Sequence, residues 1–99
     1  MSGYQLRYHR LVIEQDLPAL DPPIRKRIQS VIQNRLRIDP EKHSQPLRRS
    51  LSGLRKLWVG NWRVLLVLEK AEVRILWVGH RKDIYQVALR SLRLVEQQN

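Results

Sequence analysis

A small α+β domain in the order β-α-α-β-β-β-α is what three features of this 99-residue chain predict. Apolar residues recur with a helical period between Ile24 and Leu36, then crowd into strand-like runs between Leu54 and His80. Two short turn pairs, Gly60-Asn61 and Lys70-Ala71, cut those runs into three strands. The 42% of hydrophobic residues is enough to fill one core in a chain of this length. The expected arrangement is an antiparallel sheet packed by two N-terminal helices plus a C-terminal helix, forming a single domain over residues 1–99.

Each element has its own warrant. Tyr4, Leu6 and Tyr8 alternate with Gln5 and Arg7, the pattern of a short first strand. His9–Leu20 reads as a short helix with Ile13, Leu17 and Leu20 on its inner side, kinked or ended by Pro18. Asp21 suits an N-cap and Pro22 a first helical position. Ile24, Ile28, Val31, Ile32 and Leu36 then carry the buried stripe of a second helix, which Asp39-Pro40 stops. Residues 40–53 read as a basic loop. Strands follow at Leu54–Val59, Trp62–Glu69 and Glu72–His80, the last with Val73, Ile75 and Trp77 expected in the core. After Gly79 the period changes again, and Ile84, Ala88, Leu92 and Val95 suggest a C-terminal helix.

Composition excludes several functions. No run of 18 or more apolar residues exists, so no transmembrane helix is expected. The N-terminus carries no apolar signal region, which leads us to expect a cytoplasmic protein. The absence of cysteine excludes a disulfide framework, a thiol nucleophile and a Cys-ligated zinc. His9, His43 and His80 show no ligand spacing, so neither a metal nor a cofactor is expected. Nineteen Lys and Arg against nine Asp and Glu give a net charge of +10, the mark of a polyanionic partner. From His43 to Leu68 there is no acidic residue, whereas Arg48, Arg49, Arg55, Lys56 and Arg63 all fall there.

Turn geometry gathers these charges. With Gly60-Asn61 as the whole loop, Val59 faces Trp62 and Trp58 faces Arg63. Alternation then puts Leu57, Val59, Trp62, Val64 and Leu66 on the face that seats the second helix. Lys56, Trp58, Arg63 and Leu65 take the other face. A two-residue turn at Lys70-Ala71 would set Arg63 opposite Val78, with His80 on the same face and Arg81 and Tyr85 close behind. Such a set suits RNA chemistry. Guanidinium groups bind phosphate oxygens bidentately, aromatic rings stack on bases, and an imidazole moves protons. Metal-free cleavage needs only that the ribose 2′-hydroxyl be deprotonated and aligned, and that the pentacoordinate charge be stabilised.

Pro46–Tyr85 resembles the RelE/ParE toxin superfamily of bacterial toxin–antitoxin systems. The resemblance is carried by SLSGL before the second strand, the KLWVGNWRV hairpin, and VGHRKDIY after the last strand. YHRLVIEQDLPAL and PPIRKRIQ match that family's opening, so nearly the whole chain is covered. The resemblance implies a RelE-like fold and metal-independent cutting of mRNA in the ribosomal A site, with a cognate antitoxin as partner. By matched position, Arg48 is a basic loop residue, Lys56 a group for proton removal and transition-state charge, and Arg63 the holder of the scissile phosphate. Arg81 matches the arginine after the last strand, and Tyr85 the tyrosine used for stacking or orientation. Arg49, Arg55 and Trp58 are expected to help bind RNA. Trp58 stands where the family usually has a second basic residue, so His80 is the expected substitute for proton transfer. A ParE-like inhibitor of DNA gyrase, or a relative that binds RNA or the ribosome without turnover, are the alternatives. The antitoxin is expected to lay an acidic amphipathic segment over an apolar patch of Leu65, Val67, Leu76 and Val78.

Overall fold

Five strands make the sheet: β1 (Gln5–Tyr8), β2 (Gln45–Pro46), β3 (Arg55–Val59), β4 (Trp62–Glu69) and β5 (Glu72–His80). The computed structural model describes residues 3–91 and Arg93. The strand order is β1-β5-β4-β3-β2. The meander from β3 to β5 is antiparallel, as expected, but β1 joins the edge of β5 in parallel, so the sheet is mixed. Among the described residues three α-helices accompany it: α1 (Pro22–Val31), α2 (Pro40–His43) and α3 (Ile84–Arg90).

The first helical segment is a wide turn over Val12–Asp16, closed by the Leu17 amide donating to the Val12 carbonyl at 2.9 Å. Leu17 and Leu20 are buried as expected, but Val12 takes the inner position in place of Ile13, which is exposed. Helix α1 starts at Pro22 as anticipated and runs on through a second wide turn, Ile32–Leu36. Asp21 precedes it, but its side chain makes no capping bond. Residues 40–53 are more ordered than a loop. Pro40 opens α2, with Asp39 accepting from the Lys42 amide, and Gln45–Pro46 pairs with β3 before a 3-10 turn at Arg49–Leu51. Of the expected C-terminal helix, Ile84 and Ala88 are buried in α3, while Leu92 and Val95 lie outside the described residues.

The first hairpin has the register that its turn dictates. Val59 pairs with Trp62 and Trp58 with Arg63, with Gly60 alone of the two loop residues at positive φ (61°). The second hairpin does not. Glu69 pairs with Glu72 and Leu66 with Ile75, but Leu65 pairs with Trp77, so Leu76 is an extra residue, a β-bulge. Beyond it every side chain of β5 changes face. Arg63 therefore lies opposite Gly79 rather than Val78, and His80 lies opposite Trp62.

Two apolar layers result. Ile28, Ile32 and Leu36 pack with Leu57, Val64, Leu66, Val73, Ile75 and Val78 on one face. Leu54, Leu65, Leu76, Trp77, Ile84 and Ala88 form the second core on the other. Trp77 is thus buried on the α3 side, not beneath α1. The expected apolar patch is likewise corrected: Leu65 and Leu76 are fully buried in the second core, and Val78 belongs to the first.

One ion pair repairs what the bulge disturbs. Pairing with β1 ends at Tyr8 and Ile75, leaving the outer edge of β5 open. Asp16 Oδ2 accepts the Val78 amide at 2.9 Å, and Arg93 Nη1 donates to the Leu76 carbonyl at 2.8 Å. Arg93 also forks onto Asp16, at 2.7 Å and 3.0 Å, with its guanidinium beside the Trp77 ring. Backbone groups stripped of ladder partners are costly when buried, and this pair satisfies two of them.

Candidate RNA-binding face

The α3 side of the β3–β4 hairpin carries the charged cluster. Lys56 and Trp58 leave β3 on that face, and Arg63 leaves β4 directly across from Trp58. The Trp58 ring is the centre of the group. Arg63 Cζ lies 5.2 Å from its centroid and Lys56 Nζ lies 5.5 Å away, with Lys56 Nζ also 6.0 Å from the Tyr85 ring. Both cations are within cation–π range of the indole. Trp58 is nevertheless 54% exposed, so much of this aromatic side chain remains open to solvent beside two positive charges.

Local structure sets each group. Arg63 Nη1 donates to the carbonyls of Gly60 (2.9 Å) and Trp62 (2.8 Å), which folds the guanidinium back over the turn and fixes its direction. Tyr85 sits in the first turn of α3. Gly79 lets that helix approach, because a β-carbon there would stand 2.9 Å from Ile84 Cδ1. Arg81 follows β5, and its amide donates to the Asn61 carbonyl at 2.9 Å, which holds it at the hairpin turn. Its exposed guanidinium makes no hydrogen bond or ion pair among the described residues.

Not every expected residue reaches this face. The Leu76 bulge turns His80 to the α1 side, where its ring meets Trp62 edge-on at 5.2 Å and its Nδ1 accepts the Lys82 amide. The sheet separates it from Lys56 and Arg63, so its expected role in proton transfer is withdrawn. Arg55 is also committed elsewhere. Its Nε donates to Ser44 Oγ at 2.7 Å and its Nη2 to the Ser44 and Glu41 carbonyls, clamping α2 to β3. That is a structural duty rather than the expected RNA contact. Arg48 and Arg49 are exposed at the 3-10 turn near α3, with Arg49 at a φ of 58°. Arg74 lies at the other end of the sheet, bound to Glu69 (3.2 Å) and Glu72 (2.8 Å). The Arg7 hydrogen bond, helped by Arg74, holds the Glu72 carboxyl below its usual range. Sequence reasoning missed Asp16 and Arg93, which sit too far apart in the chain to suggest a pair. It also passed over Arg35, Lys42 and His43. The Asp39-Pro40 dipeptide was the available signal there, an N-cap followed by a first-turn proline.

No family model and no curated protein sequence matches the chain. Solved structures do. The RelBE2 toxin–antitoxin complex of Mycobacterium tuberculosis is 30% identical, with a TM-score of 0.75 over 80% of this chain and 99% of that one. The RelB–RelE antitoxin–toxin complex of Methanococcus jannaschii is 23% identical, with a TM-score of 0.61 over 80% and 94%. A mutant of E. coli toxin RelE in the free state is 17% identical, with a TM-score of 0.66 over 89% and 96%. The last two likenesses are of fold.

Proposed function

Because the chain belongs to the RelE family of toxins, we propose that it is the toxin of a type II toxin–antitoxin pair and cuts messenger RNA on the ribosome without a metal ion. The observation that carries this reading is the exposed Trp58 side chain with both Lys56 and Arg63 within cation–π range of its ring, and with Tyr85 near Lys56. A base stacks on Trp58, and the phosphate beside it meets the Arg63 guanidinium. Lys56 first releases its ammonium proton to solvent, and the neutral amine then takes the proton of the 2′-hydroxyl, whose oxygen bonds to phosphorus as the bond to the 5′-oxygen breaks. The leaving oxygen takes a proton from solvent, and Arg63 and Arg81 stabilise the charge on the equatorial oxygens. Tyr85 orients the lysine or the nucleotide. Arg48 and Arg49 draw in the flanking strand, and an antitoxin with an acidic segment masks the whole face.

Few acid–base groups are present, so the ribosome must supply much of the alignment. In a translation reaction, message bound to ribosomes should be cut while the same RNA free in solution is a poor substrate. No cleavage, together with gyrase-linked breaks in DNA, would replace this reading with the ParE-like one.

A further inference from the structure

Strand β2 is only two residues long, so β3 is covered along Arg55 and Lys56 and left open at Leu57 and Trp58. A cavity of about 170 Å³ lies against that open edge. Arg35 reaches it from the last turn after α1, Lys42 and His43 from α2, and Lys56 and Trp58 from β3 itself. Three formal positive charges and an imidazole line one small concavity, and among the described residues no carboxylate does.

We propose that this notch is a second phosphate subsite for single-stranded RNA, holding the backbone phosphate next to the nucleotide stacked on Trp58. The proposal rests on the RNA-cleaving reading above. Size favours a phosphate over a whole nucleotide. The space is below the ~300–1,000 Å³ of sites that enclose a small molecule, yet several times the ~30 Å³ share of one water. Charge favours an anion, since cations from three elements converge where a hydrophobic edge would otherwise need covering. Position favours a nucleic-acid strand. Lys56 and Trp58 belong both to this notch and to the cluster at Arg63, so one chain running across the Trp58 ring passes from the first phosphate site to the second. An acidic peptide strand added to β3 is the competing occupant. The open backbone edge suits it, but it would leave the exposed indole without a stacking partner.

The test uses the purified full chain and a 2′-O-methyl tetranucleotide, which binds without being cut. The doubly substituted Arg35→Ala/Lys42→Ala protein should bind it about tenfold more weakly, with a salt-dependence slope smaller by about 0.7, the contribution of one phosphate in a single strand. Trp58 indole N–H shifts on binding should persist in that variant, since the stacking platform is intact. Lys26→Ala, an exposed change on α1, should bind like the parent. The notch is refuted if the double variant binds normally while Arg63→Ala binds weakly, and the cleavage reading then stands. It is equally refuted if the double variant keeps its RNA affinity but loses an acidic antitoxin. If the parent neither binds the oligonucleotide nor cuts ribosome-bound message, the cleavage reading itself has failed and the notch falls with it.

Discussion

Arg63 and Arg74 are both arginines on long strands of one sheet, yet their surroundings assign them opposite work. Arg63 is aimed by two carbonyls beside an exposed indole, whereas Arg74 is neutralised by two glutamates. Arg63→Ala should therefore lower cleavage by 10²–10³, the ~2.7–4 kcal/mol typical of losing one preorganised transition-state contact. Arg74→Ala should change it little, and single-turnover rates on ribosome-bound message would show the contrast. Trp58→Ala should weaken substrate binding by the ~1–3 kcal/mol of one base stack, and Trp58→Phe should restore most of it. A loss in Trp58→Phe as large as in Trp58→Ala would make the indole a packing group instead. Glu72 gives a sign for acid stability. Its carboxyl is depressed in the folded state by Arg7 and Arg74, so its contribution is present above the ordinary carboxylate range and is lost as pH falls through the folded value. Glu72→Gln should lower urea stability slightly at neutral pH, with the difference vanishing in acid.

Among the elements, the bulge in β5 has the widest consequence. It carries Trp77 into the second core, turns His80 away from Arg63 and puts Gly79 where α3 needs room. The turn pairs, the three strands of the meander and the placement of Trp58 opposite Arg63 were all legible, because a two-residue loop leaves one register. The bulge was not. Ile75, Leu76, Trp77 and Val78 are apolar and buried on whichever face they occupy, so a one-residue slip leaves the hydrophobic pattern unchanged. The ion pair that closes the bulge was equally hidden, since Asp16 and Arg93 are joined only by the folded edge of β5. Arg93→Ala should cost ~1–3 kcal/mol by leaving the part-buried Asp16 carboxylate and the Leu76 carbonyl without their guanidinium donor. Replacing both partners by Leu and Met should still cost ~2 kcal/mol or more, because the Leu76 carbonyl and the Val78 amide lose their partners as well. Urea denaturation of the two variants decides this. A double variant as stable as the parent would mean that the pair does not hold the bulge.

At the scale of the molecule, the +10 charge is concentrated where the acids are absent. Most of the described carboxylates are engaged elsewhere, Asp16 by Arg93 and Glu72 by Arg7 and Arg74. Such a field speeds encounters with a polyanion and is screened within ~10 Å at 0.1 M salt. Association with ribosomes should slow by at least ~tenfold as salt rises from ~50 mM to ~200 mM, with dissociation changing less. No described helix is long and apolar enough to cross a membrane. The central claim is that this face uses the ribose 2′-hydroxyl as nucleophile, and the most direct measurement is the chemistry of the cut ends. Message cleaved on ribosomes should carry a 2′,3′-cyclic phosphate upstream and a 5′-hydroxyl downstream, in equal yield when EDTA is added to the toxin before it meets the ribosome. A 3′-hydroxyl paired with a 5′-phosphate, or cleavage abolished by that treatment, would contradict it.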